Sequence, residues 1–144
     1  MPKEFERILV PVDGSEVAKK AAKKALALAQ SLDTKVVVMH VINIDLYVYQ
    51  TEIVKPSEIP LQELIQREAQ SYLNEIVNLG EQMGITVSKK LVEGHPAEEI
   101  IQEAKKDDLI VIGCKGRTGL DRLLLGSVAE NVARHASSPV MLVK

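Results

Sequence analysis

The sequence predicts an α/β protein: a five-stranded parallel open sheet covered by helices on both faces. Short apolar runs alternate with longer segments of helical period throughout the 144 residues. Alternation of that kind builds βαβ units, whose parallel strands are buried on both sides. The length and a hydrophobic content of 46% suit a single domain, residues 1–144, with one core.

Residues 7–12, Arg-Ile-Leu-Val-Pro-Val, form the first buried strand. From Ser15 to Leu32, apolar residues recur at Val17/Ala18, Ala21/Ala22, Ala25, Leu28/Ala29 and Leu32, one face of a helix. Lys19, Lys20, Lys23 and Lys24 fall between these positions and read as a solvated face rather than a nucleic-acid surface. Residues 35–42 form the second strand. A helix is expected over 61–83, with Leu64/Ile65, Ala69, Tyr72/Leu73, Ile76, Leu79 and Met83 inward. Residues 85–92 alternate more weakly and carry Lys89 and Lys90, marks of an edge strand. Pro96 opens a short helix from its first position, where the missing N–H is tolerated, with Ala97, Ile100, Ile101 and Ala104 on one face. Residues 109–113 are the fourth strand, 127–136 the fourth helix, and Val140 to Val143 a last apolar strand.

Sheets of this kind adopt the order 2-1-3-4-5 or 3-2-1-4-5, and periodicity alone does not choose. The lysine-bearing third strand belongs at an edge, which favours 3-2-1-4-5. The chain then reverses direction across the sheet between strands one and four. Ligands of open α/β sheets bind at that switch point, beyond the carboxyl ends of the strands. Asp13 and Gly113 stand at those two ends.

Composition narrows the function classes. A net charge of −2 provides no basic field, so nucleic acid is not an expected partner. The lone cysteine, Cys114, excludes an internal disulfide and a Cys-rich zinc site, and fits a reducing compartment. No apolar run approaches the roughly 18–20 residues that span a bilayer, and the start lacks a signal-peptide core. A cytoplasmic location is expected, without membrane attachment.

After strand four the chain reads Gly113-Cys114-Lys115-Gly116-Arg117-Thr118-Gly119, and Gly126-Ser127 then opens a helix. Glycines let successive backbone N–H groups converge on an anion. A helix start at Ser127 adds unpaired N–H groups and the positive dipole end, and the Ser127 hydroxyl could cap the helix or donate to a phosphate. Lys115, Arg117 and Arg122 add positive charge. Together these suit a polyphosphate. Neither G-x-x-x-x-G-K-[ST] nor G-x-G-x-x-G after strand one is present.

The spacing Gly113-x2-Gly116-x9-Gly126-Ser127 resembles the G-x2-G-x9-G-[ST] nucleotide motif of the universal stress protein family. Similar agreement is found at Ile8-Leu9-Val10-Pro11-Val12-Asp13-Gly14-Ser15, at Glu93-Gly94-His95-Pro96, at 108–113 and at 138–143. The resemblance implies a three-layer, Rossmann-like fold of the adenine nucleotide alpha hydrolase type with order 3-2-1-4-5. It also implies a homodimer and ATP binding. By position, Pro11 and Val12 would line the base pocket and the Val41 backbone would meet the adenine edge. Gly113, Gly116, Gly126, Ser127 and Val128, beside Arg117, would hold ribose and phosphates. Asp13 would lie near the ribose and phosphates, directly or through Mg²⁺ (or Mn²⁺); a bare carboxylate repels a phosphate, and a bridging ion resolves that conflict.

Other residues keep plainer readings. His40 reads as packed or hydrogen-bonded, and His135 complements the dipole in a last helical turn. No two histidines have a metal-ligand spacing. Cys114 beside Lys115 has the setting of a lowered thiol pKa, against the plain reading of a small loop residue. The long connection 43–60, with Tyr47 and Tyr49, suits a lid, a partner surface or a mobile loop. Strand 140–143 is apolar yet at an edge, so pairing with its own copy is expected.

Three functions fit: an ATP-binding regulator with at most slow hydrolysis, an ATP-hydrolysing switch, and a nucleotide-independent dimeric interaction module. The first leads because no glutamate or histidine is identifiable as a base for water. A nicotinamide or flavin enzyme is a weaker fit; only Asp45 comes near the required acidic position after strand two.

Overall fold

The computed structural model describes residues 4–45, 60–115 and 125–144. Five strands, β1 (Arg7–Pro11), β2 (Lys35–Asn43), β3 (Val87–Gly94), β4 (Asp108–Gly113) and β5 (Val140–Val143), form one sheet in the order β3-β2-β1-β4-β5. All four pairings are parallel. The expected order 3-2-1-4-5 is therefore the observed one. The four helices described are α1 (Glu16–Leu32), α2 (Leu61–Gln82), α3 (Pro96–Glu103) and α4 (Ser127–His135).

Alternation along the strands separates two cores. Ile8 and Val10 of β1, Val12 just beyond it, and Val36 and Val38 of β2 pack with the α1 alanines and with Leu73 and Ile76 of α2. Leu9, Met39, Val41, Ile110 and Ile112 face the other way, against Ile100 of α3 and Ala129 and Val132 of α4. The second and fourth helices' faces are thus on opposite sides, as a doubly wound sheet requires.

The helical stripes differ in detail from the sequence expectation. On α1 the buried set is Ala18, Ala21, Ala22, Ala25, Leu26 and Ala29. That is a regular i, i+3, i+4 stripe that takes in Leu26 and leaves Leu32, at the helix end, 39% exposed. Leu64, expected inward, is exposed in the first turn of α2. Strand β3 begins two residues later than expected. The Ile85 N–H turns back to the Gly80 carbonyl (2.8 Å) and closes the end of α2 before pairing starts.

At the amino ends of β1 and β4, Arg7 Nε donates to both Asp108 carboxylate oxygens (2.9 and 3.0 Å), and its terminal nitrogens reach the Glu103 carboxylate and carbonyl. Asp108 is almost fully buried and also accepts from the Lys105 N–H. This cluster lies at the opposite end of the strands from the switch point.

Candidate functional site

At the carboxyl ends of β1, β2 and β4 the sheet opens into a cleft of about 200 Å³. Its sheet wall is Pro11, Val41 and Ile112; Pro96 and Ile100 of α3 and Val128 and Ala129 of α4 face them. These apolar side chains belong to the α3/α4 side of the sheet, so the slot continues that core outward to solvent. Val12, Asp13, Gly113, Lys115, Gly126 and Ser127 form its rim.

Local backbone geometry places each rim group. Strand β1 ends when the Val12 N–H makes a last sheet bond to the Met39 carbonyl (2.8 Å). The chain then turns at Gly14, whose φ of +84° is a left-handed conformation that glycine adopts without Cβ strain. Within the turn Asp13 Oδ1 accepts from the Ser15 N–H (2.9 Å), and Ser15 caps α1 by accepting from the Ala18 N–H (3.1 Å).

Gly113 serves packing. A Cβ on it would lie 3.1 Å from the carbonyl carbon and oxygen of Val17 and 3.2 Å from the Ala18 nitrogen, all backbone of the first turn of α1. Its small size lets β4 and α1 meet directly. Beyond it, the Cys114 N–H donates to the Val143 carbonyl (2.8 Å) and the Cys114 carbonyl accepts from the Gly126 N–H (2.7 Å). Those bonds hold Cys114 and Gly126 together at the start of α4.

The N-cap of α4 is Gly126, and it makes no side-chain cap bond. Ser127, expected as a possible cap, is instead the first helical residue and borders the cleft. The first-turn N–H groups and the dipole of α4 open toward that rim, as in an anion site.

Of the residues expected in the site, Pro11, Val12, Asp13, Val41, Gly113, Gly126, Ser127 and Val128 border this one cleft. Gly116 and Arg117 lie outside the described residues, as does most of the 43–60 connection. The apolar wall from Ile100, Ile112 and Ala129 was not singled out in the sequence, because those residues read there only as core. His40 is half-buried and donates through Nδ1 to the Val12 carbonyl (2.7 Å), in keeping with its hydrogen-bonded reading. Asp45 lies 3.6 Å from His95. Among the described residues no group of three His, Cys, Asp or Glu could hold a metal by itself, and no helix is long and apolar enough to cross a membrane.

Fold and cleft together define a doubly wound α/β protein with its opening at the topological switch point. The model of the universal stress protein family matches residues 4–144, and the chain belongs to that family. It is 39% identical over 142 residues to universal stress protein MJ0531 of Methanocaldococcus jannaschii, covering 97% of this chain and 82% of that one. The solved structure of protein MJ0577, from the same organism, superposes with a TM-score of 0.79 at 32% identity, covering 98% and 96% of the two chains. A universal stress protein from Archaeoglobus fulgidus, solved in complex with dAMP, has a TM-score of 0.69 at 25% identity, with 97% and 98% covered.

Proposed function

We propose that this chain is an ATP-binding regulatory protein that acts as a homodimer and hydrolyses ATP slowly at most. The observation that carries the reading is the union, in one cleft, of an apolar slot with the N-terminus of α4 and its flanking glycines Gly113 and Gly126. Pro11, Val41, Ile112 and Ile100 offer the slot a planar base would fill. The Val41 peptide supplies a donor and an acceptor for its edge. Gly126, Ser127 and Val128 at the start of α4 suit phosphates, Gly113 and Gly116 complete the motif, and Arg117 adds positive charge beside it. An adenine nucleotide in the A. fulgidus relative agrees with this choice of ligand.

Magnesium fits as a bridge. It commonly takes one or two protein carboxylates together with substrate phosphates, and Asp13 keeps one carboxylate oxygen beyond its bond to Ser15. The ion would offset the repulsion between that carboxylate and the phosphates. Slow turnover follows from the side chains at the cleft: Asp13, His40 and Lys115 are its titratable groups among the described residues. His40 has one ring nitrogen committed to Val12, and Asp13 is the proposed metal ligand.

Calorimetric titration of ligand-free protein with ATP and Mg²⁺ tests the reading. Saturable binding, accompanied by negligible phosphate release, is expected. Failure to bind at millimolar ATP refutes it, and rapid release of phosphate favours the hydrolysing switch.

A further inference from the structure

The turn that carries Asp13 is held by two residues with no place in the glycine motif. We propose that His40 and Tyr72 are positioning residues that clamp the Val12–Ser15 turn, and with it Asp13, in the shape that the nucleotide meets.

His40 sits between Met39 and Val41, which face α3 and α4, so its own side chain is on the α1/α2 side. There its Nδ1 lies 2.7 Å from the Val12 carbonyl oxygen. A carbonyl can only accept, so Nδ1 carries the hydrogen. The Val12 carbonyl is the next acceptor after the last β1–β2 bond, from Val12 N–H to Met39. His40 therefore satisfies this buried group where the ladder stops. It leaves the Val41 peptide without that competitor at the cleft wall.

Tyr72 of α2 holds the other side of the turn. A Cβ on Gly14 would lie 2.5 Å from its Cε1 and Cζ. The ring thus fills the space a side chain at position 14 would need. Tyr72 also meets the His40 ring edge-on, with centroids 5.4 Å apart and planes at 73°. Its hydroxyl donates to Glu68, one turn earlier on α2.

Beside these contacts lies a second hollow of about 220 Å³, bordered by Asp13, His40, Val41, Glu68, Tyr72 and Pro96.

The last consequence rests on the nucleotide reading: a turn populated only partly in its binding shape lowers apparent affinity by that fraction. The order of the turn itself does not depend on it. The test measures backbone ¹⁵N order parameters at residues 13–15 in ligand-free wild type, His40→Leu and Tyr72→Leu, with His40→Asn and Tyr72→Phe as rescues. Asparagine keeps a donor near the Nδ1 position, and phenylalanine keeps the ring on Gly14.

Wild type and rescues should be rigid, with values of about 0.85, and the leucine variants should fall toward about 0.6. ATP affinity should weaken roughly tenfold in the leucine variants and return in the rescues. Unchanged order in leucine variants that unfold cooperatively overturns the clamp. Should those variants not fold, the long-range ¹H–¹⁵N spectrum of wild type decides: an Nδ1–H tautomer at His40 supports the clamp and an Nε2–H tautomer overturns it. If wild type binds no ATP, the nucleotide reading fails and the order parameters alone judge the clamp.

Discussion

Replacing Ser127 with alanine separates helix capping from ligand binding, because two serines stand at the starts of two helices and only one of them, Ser15, caps. Ser15 Oγ accepts from the Ala18 N–H at 3.1 Å, so Ser15→Ala removes a cap bond. The cost is about 1 kcal/mol, or about 2–4 °C in Tm for a domain of this size. Ser127 follows an N-cap glycine and makes no cap bond. Alanine there is an equally good or better helix former, so stability should change by less than about 0.5 kcal/mol. A hydroxyl donating to a charged phosphate contributes about 1.5–3 kcal/mol. At 1.4 kcal/mol per tenfold, Ser127→Ala should weaken ATP binding roughly 10- to 100-fold. Calorimetric titration with ATP and Mg²⁺, run beside thermal unfolding, reads both quantities. A Ser127→Ala protein that melts as early as Ser15→Ala yet binds ATP like wild type would show the hydroxyl to be structural and refute the reasoning.

Gly113→Ala should destabilise the fold by about 1–3 kcal/mol, since its Cβ would press on α1 backbone that cannot rotate away; an unchanged denaturant midpoint would contradict the close approach. At the other end of the sheet, burial pushes the Glu103 carboxyl up, but hydrogen bonds from Lys90 and Arg7 outweigh it and hold the group below its ordinary value. Its folded pKa being the lower, its contribution is complete above the unfolded value and is lost as pH falls through the folded one. Thermal stability should therefore drop on acidification below the usual glutamate range, and Glu103→Gln should flatten that limb; parallel pH profiles for the two proteins would remove this assignment. Met141 and Leu142 are 39% and 40% exposed on the edge strand β5, an apolar edge that self-pairing about a two-fold axis would cover. Light scattering should find a wild-type dimer and a Leu142→Lys monomer, and a wild-type monomer at micromolar concentration would end the dimer reading.

Much of this architecture is written in short-range pattern. Apolar runs such as Val36 to Val38 have no polar face to solvate, so they announce strands buried on both sides. The edge position of β3 follows from Lys89 and Lys90, which a central strand could not bury. Residues whose exposure depends on packing at an element's end were less readable. Leu64 and Leu32 match the helical period yet lie where the sheet no longer covers them, and Leu26 is buried because the alanines around it let α1 settle close. In the site, the glycine spacing and Asp13 stand out as motif. Ser127 could not be divided between cap and donor without knowing that Gly126 occupies the cap.

The sequence by itself determined the class of fold, the end of the sheet where a ligand belongs and the family motif that surrounds it. Periodicity and glycine spacing are local properties, carried by residues a few positions apart. Only the tertiary structure decided that Gly113 is small to admit the backbone of α1, and that His40 and Tyr72, on different elements, converge behind Asp13. Those roles come from contacts across the sheet, between residues whose separation along the chain leaves no pattern to read.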